Sequence, residues 1–214
     1  CENDNDKQEI SSVQWNDKVP YILSVCSKSG FLYIWDMKKS KIHLIIKDQL
    51  MQNPEENLHT VSVWASDGVQ IIIGYDNEEY SFLTQYHMTQ ITAPIAEYRG
   101  GHSKGIYQIT KNPNDPNFVL SLGRDNNVTC WSIRTQRNVY SKSFKDKIHS
   151  VNWMSKLNDV YIVLYENGQL EANQVSFNLD LSQTAEIAEE PPKWISRKNF
   201  SVFNWSGKFL FCNE

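Results

Sequence analysis

Four short stretches at nearly regular intervals constrain this chain most. SSVQW ends at Trp15, TVSVW at Trp64, GIYQITK at Lys111 and IHSVNW at Trp153, so matching positions recur 49, 47 and 42 residues apart. Each stretch alternates β-forming and polar residues, the period-2 pattern of a half-buried strand. A polar turn follows each one, at 16–18, 65–68, 112–117 and 155–159. Apolar runs come next at 21–25, 69–73, 118–122 and 160–164, then tight turns, then third strands at 31–35, 79–83, 128–131 and 169–174. No apolar set keeps the i, i+3, i+4, i+7 spacing of a helix over ten residues. A forty-odd-residue unit of short strands cannot bury its apolar faces alone, so neighbouring units must stack. The fold class is therefore all-β, with about four such units in residues 1–178.

The third unit carries the most specific grammar. Gly101–His102 precedes its first strand, Ser121 lies in the second, Asp125 in the next turn and Trp131 at the end of the third. That order is the signature of a WD-repeat propeller blade, in which tight turns leave buried polar groups that need partners. The expected tetrad is His102, Ser121, Asp125 and Trp131, held as a structural network. His, Ser and Asp together also suit a nucleophilic triad, but the Gly-x-Ser-x-Gly nucleophile elbow is absent. The other units depart from the grammar. The first has the dipeptide Trp35–Asp36 but Ser29 at the turn position, and the second has Phe82 where the closing Trp is expected.

Composition narrows the chemistry. A net charge of −4 gives no basic field for nucleic acid. There is no run of about 18 apolar residues, so no membrane insertion is expected. Cys1, Cys26, Cys130 and Cys212 form no Cys-x-x-Cys pair, and the five His residues lack metal-ligand spacing. Isolated thiols and a disulfide in an oxidising compartment both remain open for the cysteines. No catalytic, cofactor or metal residue is assigned. Lys104, Arg124 and Arg134 are weighed as a basic face for an acidic peptide against ordinary solvated turns, and the turns are preferred.

The character of the chain changes after residue 178. Residues 179–193 are acidic and end in Pro191–Pro192, which marks a linker with room for one helical turn at 183–190. Residues 194–214 then bring six aromatics: Trp194, Phe200, Phe203, Trp205, Phe209 and Phe211. Phe200–Trp205 and Lys208–Phe211 are expected to form a hairpin around Ser206–Gly207. An isolated hairpin is unstable in water. It is expected either to close its own propeller or to be lent to the sheet edge of a partner.

Three segments together resemble a known family: residues 12–45 with 60–64, the blade at 100–131, and the tail PPKWISRKNFSVFNWSGKFLF. They are similar to the large outer-cage subunit of the COPII vesicle coat, the Sec-thirty-one family. Pro192, Trp194 and Trp205–Ser206–Gly207–Lys208 match its Pro-x-Trp and aromatic-x-Gly-Gly-Lys segments, with Ser206 in place of the first Gly. The resemblance implies a WD-repeat β-propeller, here about four C-terminal blades of an incomplete ring with roughly three blades expected upstream. It implies that 194–214 is an insertion blade completing a small WD-repeat partner, the Sec-thirteen protein, and that other coat propellers are contacted. It implies a scaffold in transport from endoplasmic reticulum to Golgi, cytoplasmic and peripheral to exit sites and COPII vesicles. The alternative is another WD-repeat adaptor, of ubiquitin-ligase or nuclear-pore type, and an enzyme is the weakest candidate.

Overall fold

The computed structural model describes residues 9–47, 59–77, 81–157, 159–175, 201–205 and 208–212. Among these residues every regular element is a strand. The first sheet has β1 (Ile10–Trp15), β2 (Ile22–Ser27), β3 (Phe31–Asp36) and β4 (Lys41–Lys47), antiparallel and in chain order. The second has β5 (His59–Trp64), β6 (Gln70–Asp76), β7 (Leu83–His87) and β8 (Ala96–Tyr98), again in chain order. A third sheet joins β9 (Ile106–Lys111), β10 (Phe118–Gly123), β11 (Asn127–Ser132) and β12 (Arg137–Ser143). The fourth has β13 (Ile148–Trp153), β14 (Val160–Tyr165) and β15 (Leu170–Gln174), and a hairpin pairs β16 (Ser201–Trp205) with β17 (Lys208–Cys212). The all-β expectation holds.

The chain divides into two compact units, Cys1–Ile109 with Gly123–Asp125, and Thr110–Leu122 with Asn126–Glu214. In the first unit, Ile22, Cys26, Leu32, Ile34 and Ile46 of the first sheet pack against Trp64, Ile71, Ile73, Tyr75 and Tyr86 of the second. These residues are brought onto facing surfaces by strand alternation, since a side chain changes face at every step. Polar groups caught in the seam find partners, as buried hydroxyls must. Ser24 Oγ meets Ser62 Oγ at 3.1 Å, and Thr60 Oγ1 donates to the Ser27 carbonyl at 3.0 Å. Asn16, buried, donates to the Gly68 carbonyl at 2.7 Å while its side-chain oxygen accepts from the Lys18 and Val19 amides. That one Asn closes its own turn and ties it to the next sheet's turn.

The second unit is built the same way. Val151, Tyr161 and Val163 are buried, and the Tyr140 and Tyr161 hydroxyls meet at 3.0 Å. Asn126 sits at φ 61°, a left-handed conformation that Asn tolerates well. Its side chain donates to the Phe144 and Asp146 carbonyls and accepts from the Ile148 amide, fixing the path from β12 to β13.

The first strands of all four units end where the sequence places them, at Trp15, Trp64, Lys111 and Trp153. Two expectations need correcting. The third strand of the second unit is Leu83–His87, not 79–83, so β6 runs on to Asp76 and the register sets Tyr86 opposite Ile71. Tyr86, not Phe82, therefore holds the position that Trp131 holds opposite Val119. Both faces of this sheet are buried, and alternation cannot place the start of a strand covered on both sides. The outer strands β4, β8 and β12 complete the four-stranded units, although only three strands per unit are readable as runs. They mix exposed and polar residues, so their apolar content alone does not announce them. The linker, 179–193, and Trp194 and Phe200 lie outside the described residues.

Candidate functional site

Direct bonds join members of the predicted tetrad. His102 Nδ1 hydrogen-bonds Asp125 Oδ1 at 3.2 Å, with both side chains almost fully buried. The other Asp125 oxygen accepts from the Ser103 amide at 2.8 Å. Trp131 Nε1 donates to Ser121 Oγ at 2.7 Å, and that hydroxyl donates to the Thr129 carbonyl at 3.4 Å. Ser121 therefore accepts a hydrogen bond from an indole N–H and donates one to a carbonyl. A serine bonded in this way at the middle of a buried strand is not presented as a nucleophile.

Two glycines that pattern reasoning treats as ordinary turn residues make this arrangement possible. A Cβ on Gly123 would stand 2.4 Å from Asp125 Oδ1 and 2.5 Å from His102 Nδ1. A Cβ on Gly105 would stand 2.3 Å from the Asn77 amide nitrogen, a main-chain atom with nowhere to go. Close backbone approach, not a left-handed φ, is the reason for glycine at both sites. Nothing local in the sequence signals it.

Of the basic residues weighed as a peptide-binding face, Arg124 is engaged within the chain. Arg124 Nε and Nη2 take the Asp76 carboxylate in a fork at 2.8 and 2.5 Å, while the guanidinium lies 4.5 Å from the Tyr107 ring centre. Hydrogen bonding to Asp76 raises the Arg124 pKa further above its ordinary value. Arg124 precedes β11 and Arg134 follows it, so the two stand at opposite ends of one strand. Cys26 and Cys130 are buried free thiols. Burial pushes the Cys130 thiol up to about 12, and that of Cys26 upward as well.

The tail hairpin pairs β16 and β17 antiparallel. Its register sets Phe203 opposite Leu210 and Trp205 opposite Lys208, with Val202 opposite Phe211 and Asn204 opposite Phe209. Four of the six aromatics named from the sequence, Phe203, Trp205, Phe209 and Phe211, lie on these two strands.

The WD domain, G-beta repeat, family matches residues 93–132, which contain the whole His102–Trp131 segment. Protein transport protein SEC31 of Dictyostelium discoideum is 29% identical over 128 residues, covering 60% of this chain and 9% of its own length. Protein transport protein Sec31A of Danio rerio is 23% identical over 244 residues, covering 95% of this chain and 19% of its own. Sec31B of Mus musculus is 20% identical over 224 residues, with 96% and 19% covered. The chain is similar to Sec31 proteins. It spans between 9% and 19% of the length of these three relatives. A chain from "The structure of the COPII coat assembled on membranes" superposes with a TM-score of 0.71 at 18% identity, over 86% of this chain and 26% of that one. The Sec31-like chain therefore carries a WD repeat within an all-β fold of the kind found in that coat.

Proposed function

We propose that this Sec31-like chain works as a scaffold in the outer COPII coat, carrying protein from endoplasmic reticulum to Golgi. The single observation that carries the reading is the tail hairpin, joined to the similarity with Sec31 proteins. A two-stranded hairpin as rich in aromatic residues as this one has no stable state in water by itself. It needs cover above and below and a strand beside it, and a propeller short of a blade supplies all three. In this reading residues 194–214 are the insertion blade, with Trp194, Phe200, Phe203, Trp205, Phe209 and Phe211 filling the partner's core. The partner is a small WD-repeat coat subunit of the Sec-thirteen type. Residues 1–178 form propeller blades that meet other coat propellers, and 179–193 is the linker. The His102, Ser121, Asp125 and Trp131 set is structural, and the protein acts in the cytoplasm at exit sites and on vesicles, without catalysis.

The test is co-expression with the small coat subunit. Trp205→Asp and Phe209→Asp place one carboxylate on each hairpin strand, and each abolishes co-purification if the hairpin is buried in the partner. Circular dichroism on each variant checks that the rest of the chain keeps its strand content. Normal yield of complex with both variants would remove the strand-addition mechanism.

A further inference from the structure

Four turns gather at one end of the first compact unit and make a rim that is both apolar and basic. They join β1 to β2, β3 to β4, β5 to β6 and β7 to β8. Hydrogen bonds tie them together. Asn16 Nδ2 donates to the Gly68 carbonyl at 2.7 Å, the Met37 amide to the Tyr21 carbonyl at 2.8 Å, and the Met88 amide to the Val69 carbonyl at 2.9 Å. Met37 is 48% exposed, Val69 42% and Ile95 41%, one on each of three turns. Val19, Met88 and Ile91 are half-buried against the core at the same end. The β7–β8 turn, residues 88–95, has no charged side chain. Exposed apolar residues gathered in this way mark a contact surface.

The charged groups of the rim are unevenly placed. Lys38, Lys39 and Lys41 surround the β3–β4 turn and Lys18 stands on the β1–β2 turn, all exposed. The acids at 16–20, 36–41 and 65–69 are Asp17, Asp36 and Asp67. Asp36 is buried beneath its turn, where its Oδ1 accepts from the Lys38 and Lys39 amides at 3.0 and 3.2 Å. Asp67 Oδ1 likewise accepts from the Val69 and Gln70 amides at 2.9 and 3.0 Å. Four lysines against three aspartates leave this end positive, in a chain of net charge −4.

We infer that this rim is a peripheral contact for an anionic lipid surface. Met37, Val69 and Ile95 enter the headgroup layer, while Lys18, Lys38, Lys39 and Lys41 stand over lipid phosphates. The composition selects lipid over a folded protein. Protein interfaces concentrate aromatic residues and arginine and are poor in lysine. The four turns have no arginine, and Tyr21, beside the Met37 turn, lies under the Lys38 ammonium, 3.9 Å from its ring centre. A lysine ammonium is a point charge on a flexible stem and needs no fixed partner geometry, which suits fluid headgroups. The rim is made of turns at the strand ends, so sheets stacked on either face leave it open. The inference stands on exposure and charge and does not rest on the coat reading.

Vesicle co-sedimentation of the full-length protein tests it, with phosphatidylcholine alone or mixed with phosphatidylserine in equal parts. Binding to the mixed vesicles is expected, and added salt weakens it. Lys38→Glu with Lys41→Glu lowers the partition coefficient on the order of tenfold or more. Val69→Ser with Ile95→Ser lowers it on the order of tenfold, through the apolar area withdrawn. Lys104→Glu leaves it unchanged, since the loop before β9 packs on Asn77, past the far end of β6. Circular dichroism checks that each variant keeps its strand content. Failure to bind the mixed vesicles, or equal partition of the lysine variant and the parent, would overturn the inference. So would equal binding to phosphatidylcholine alone. Binding of poly-L-glutamate that needs Lys38 and Lys41, without binding to vesicles, would overturn it as well, since the occupant is then an acidic polypeptide.

Discussion

At the scale of single residues, the third unit is held by groups whose value lies in their exact fit to a neighbour. Trp131 Nε1 donates to Ser121 Oγ inside a buried sheet, so removing the indole N–H removes that bond. Trp131→Phe keeps the aromatic volume close to native and is expected to cost about 0.5–1.5 kcal/mol, the net worth of the lost hydrogen bond. Gly123→Ala drives a methyl into both His102 and Asp125 and is expected to cost about 1–3 kcal/mol by overpacking. Urea unfolding of each variant, read at constant m-value, measures both. A Gly123→Ala protein as stable as the parent would mean that the His102–Asp125 pair is looser than its geometry indicates. The four tetrad residues are readable from the sequence because their spacing follows the turn. Gly123 and Gly105 are not, because His102 lies 21 residues from Gly123 and Asn77 lies 28 residues from Gly105 along the chain, and only the fold brings them together.

At the scale of strands and sheets, the inner strands are the legible part. SVQW, TVSVW and HSVNW end on a bulky indole that closes the strand, and the structure stops each strand on that residue. The second strands extend by one to three residues, to Ser27, Asp76, Gly123 and Tyr165. The expectation at β7 ends the strand on the adjacent apolar residues Phe82 and Leu83, whereas pairing against β6 makes Leu83 its first residue. A comparison of two residues at the same repeat position tests how the sheets stack. Trp64→Ala is expected to cost about 3–5 kcal/mol, as for other buried aromatics. Trp15→Ala in the 214-residue chain is expected to stay within about 0.5 kcal/mol, as for an exposed substitution. Equal losses would mean that the Trp15 face is covered in the isolated chain.

For the whole molecule, buried acids that prefer to stay neutral set the alkaline limit. Burial pushes Tyr98 up to about 12 and raises Tyr140 and Tyr161, while Cys130 stands at about 12 for the same reason. Each keeps its proton in the folded state at a pH where the unfolded chain has lost it. The unfolded state then binds fewer protons, so stability falls with rising pH. The contribution is complete below pH 9, the ordinary thiol value, and is lost progressively as pH climbs toward 12. Tm is therefore expected to be flat from pH 7 to 8.5 and to drop steeply above pH 10. Absorbance at 295 nm should show the buried tyrosines ionising only as the chain unfolds. A chain that titrates all ten tyrosines at pH 10 while still folded would contradict the burial.

In this account the tail hairpin is lent to a partner, and pairing alternates along an antiparallel strand, so half of its amides face outward to the edges. Amide hydrogen exchange over Ser201–Cys212, with and without the small WD-repeat coat subunit, reads those edges directly. The account predicts strong protection of these residues on adding the subunit, with little change over Ile106–Ser143. Exchange over Ser201–Cys212 that is unaltered by a saturating amount of the subunit would contradict it.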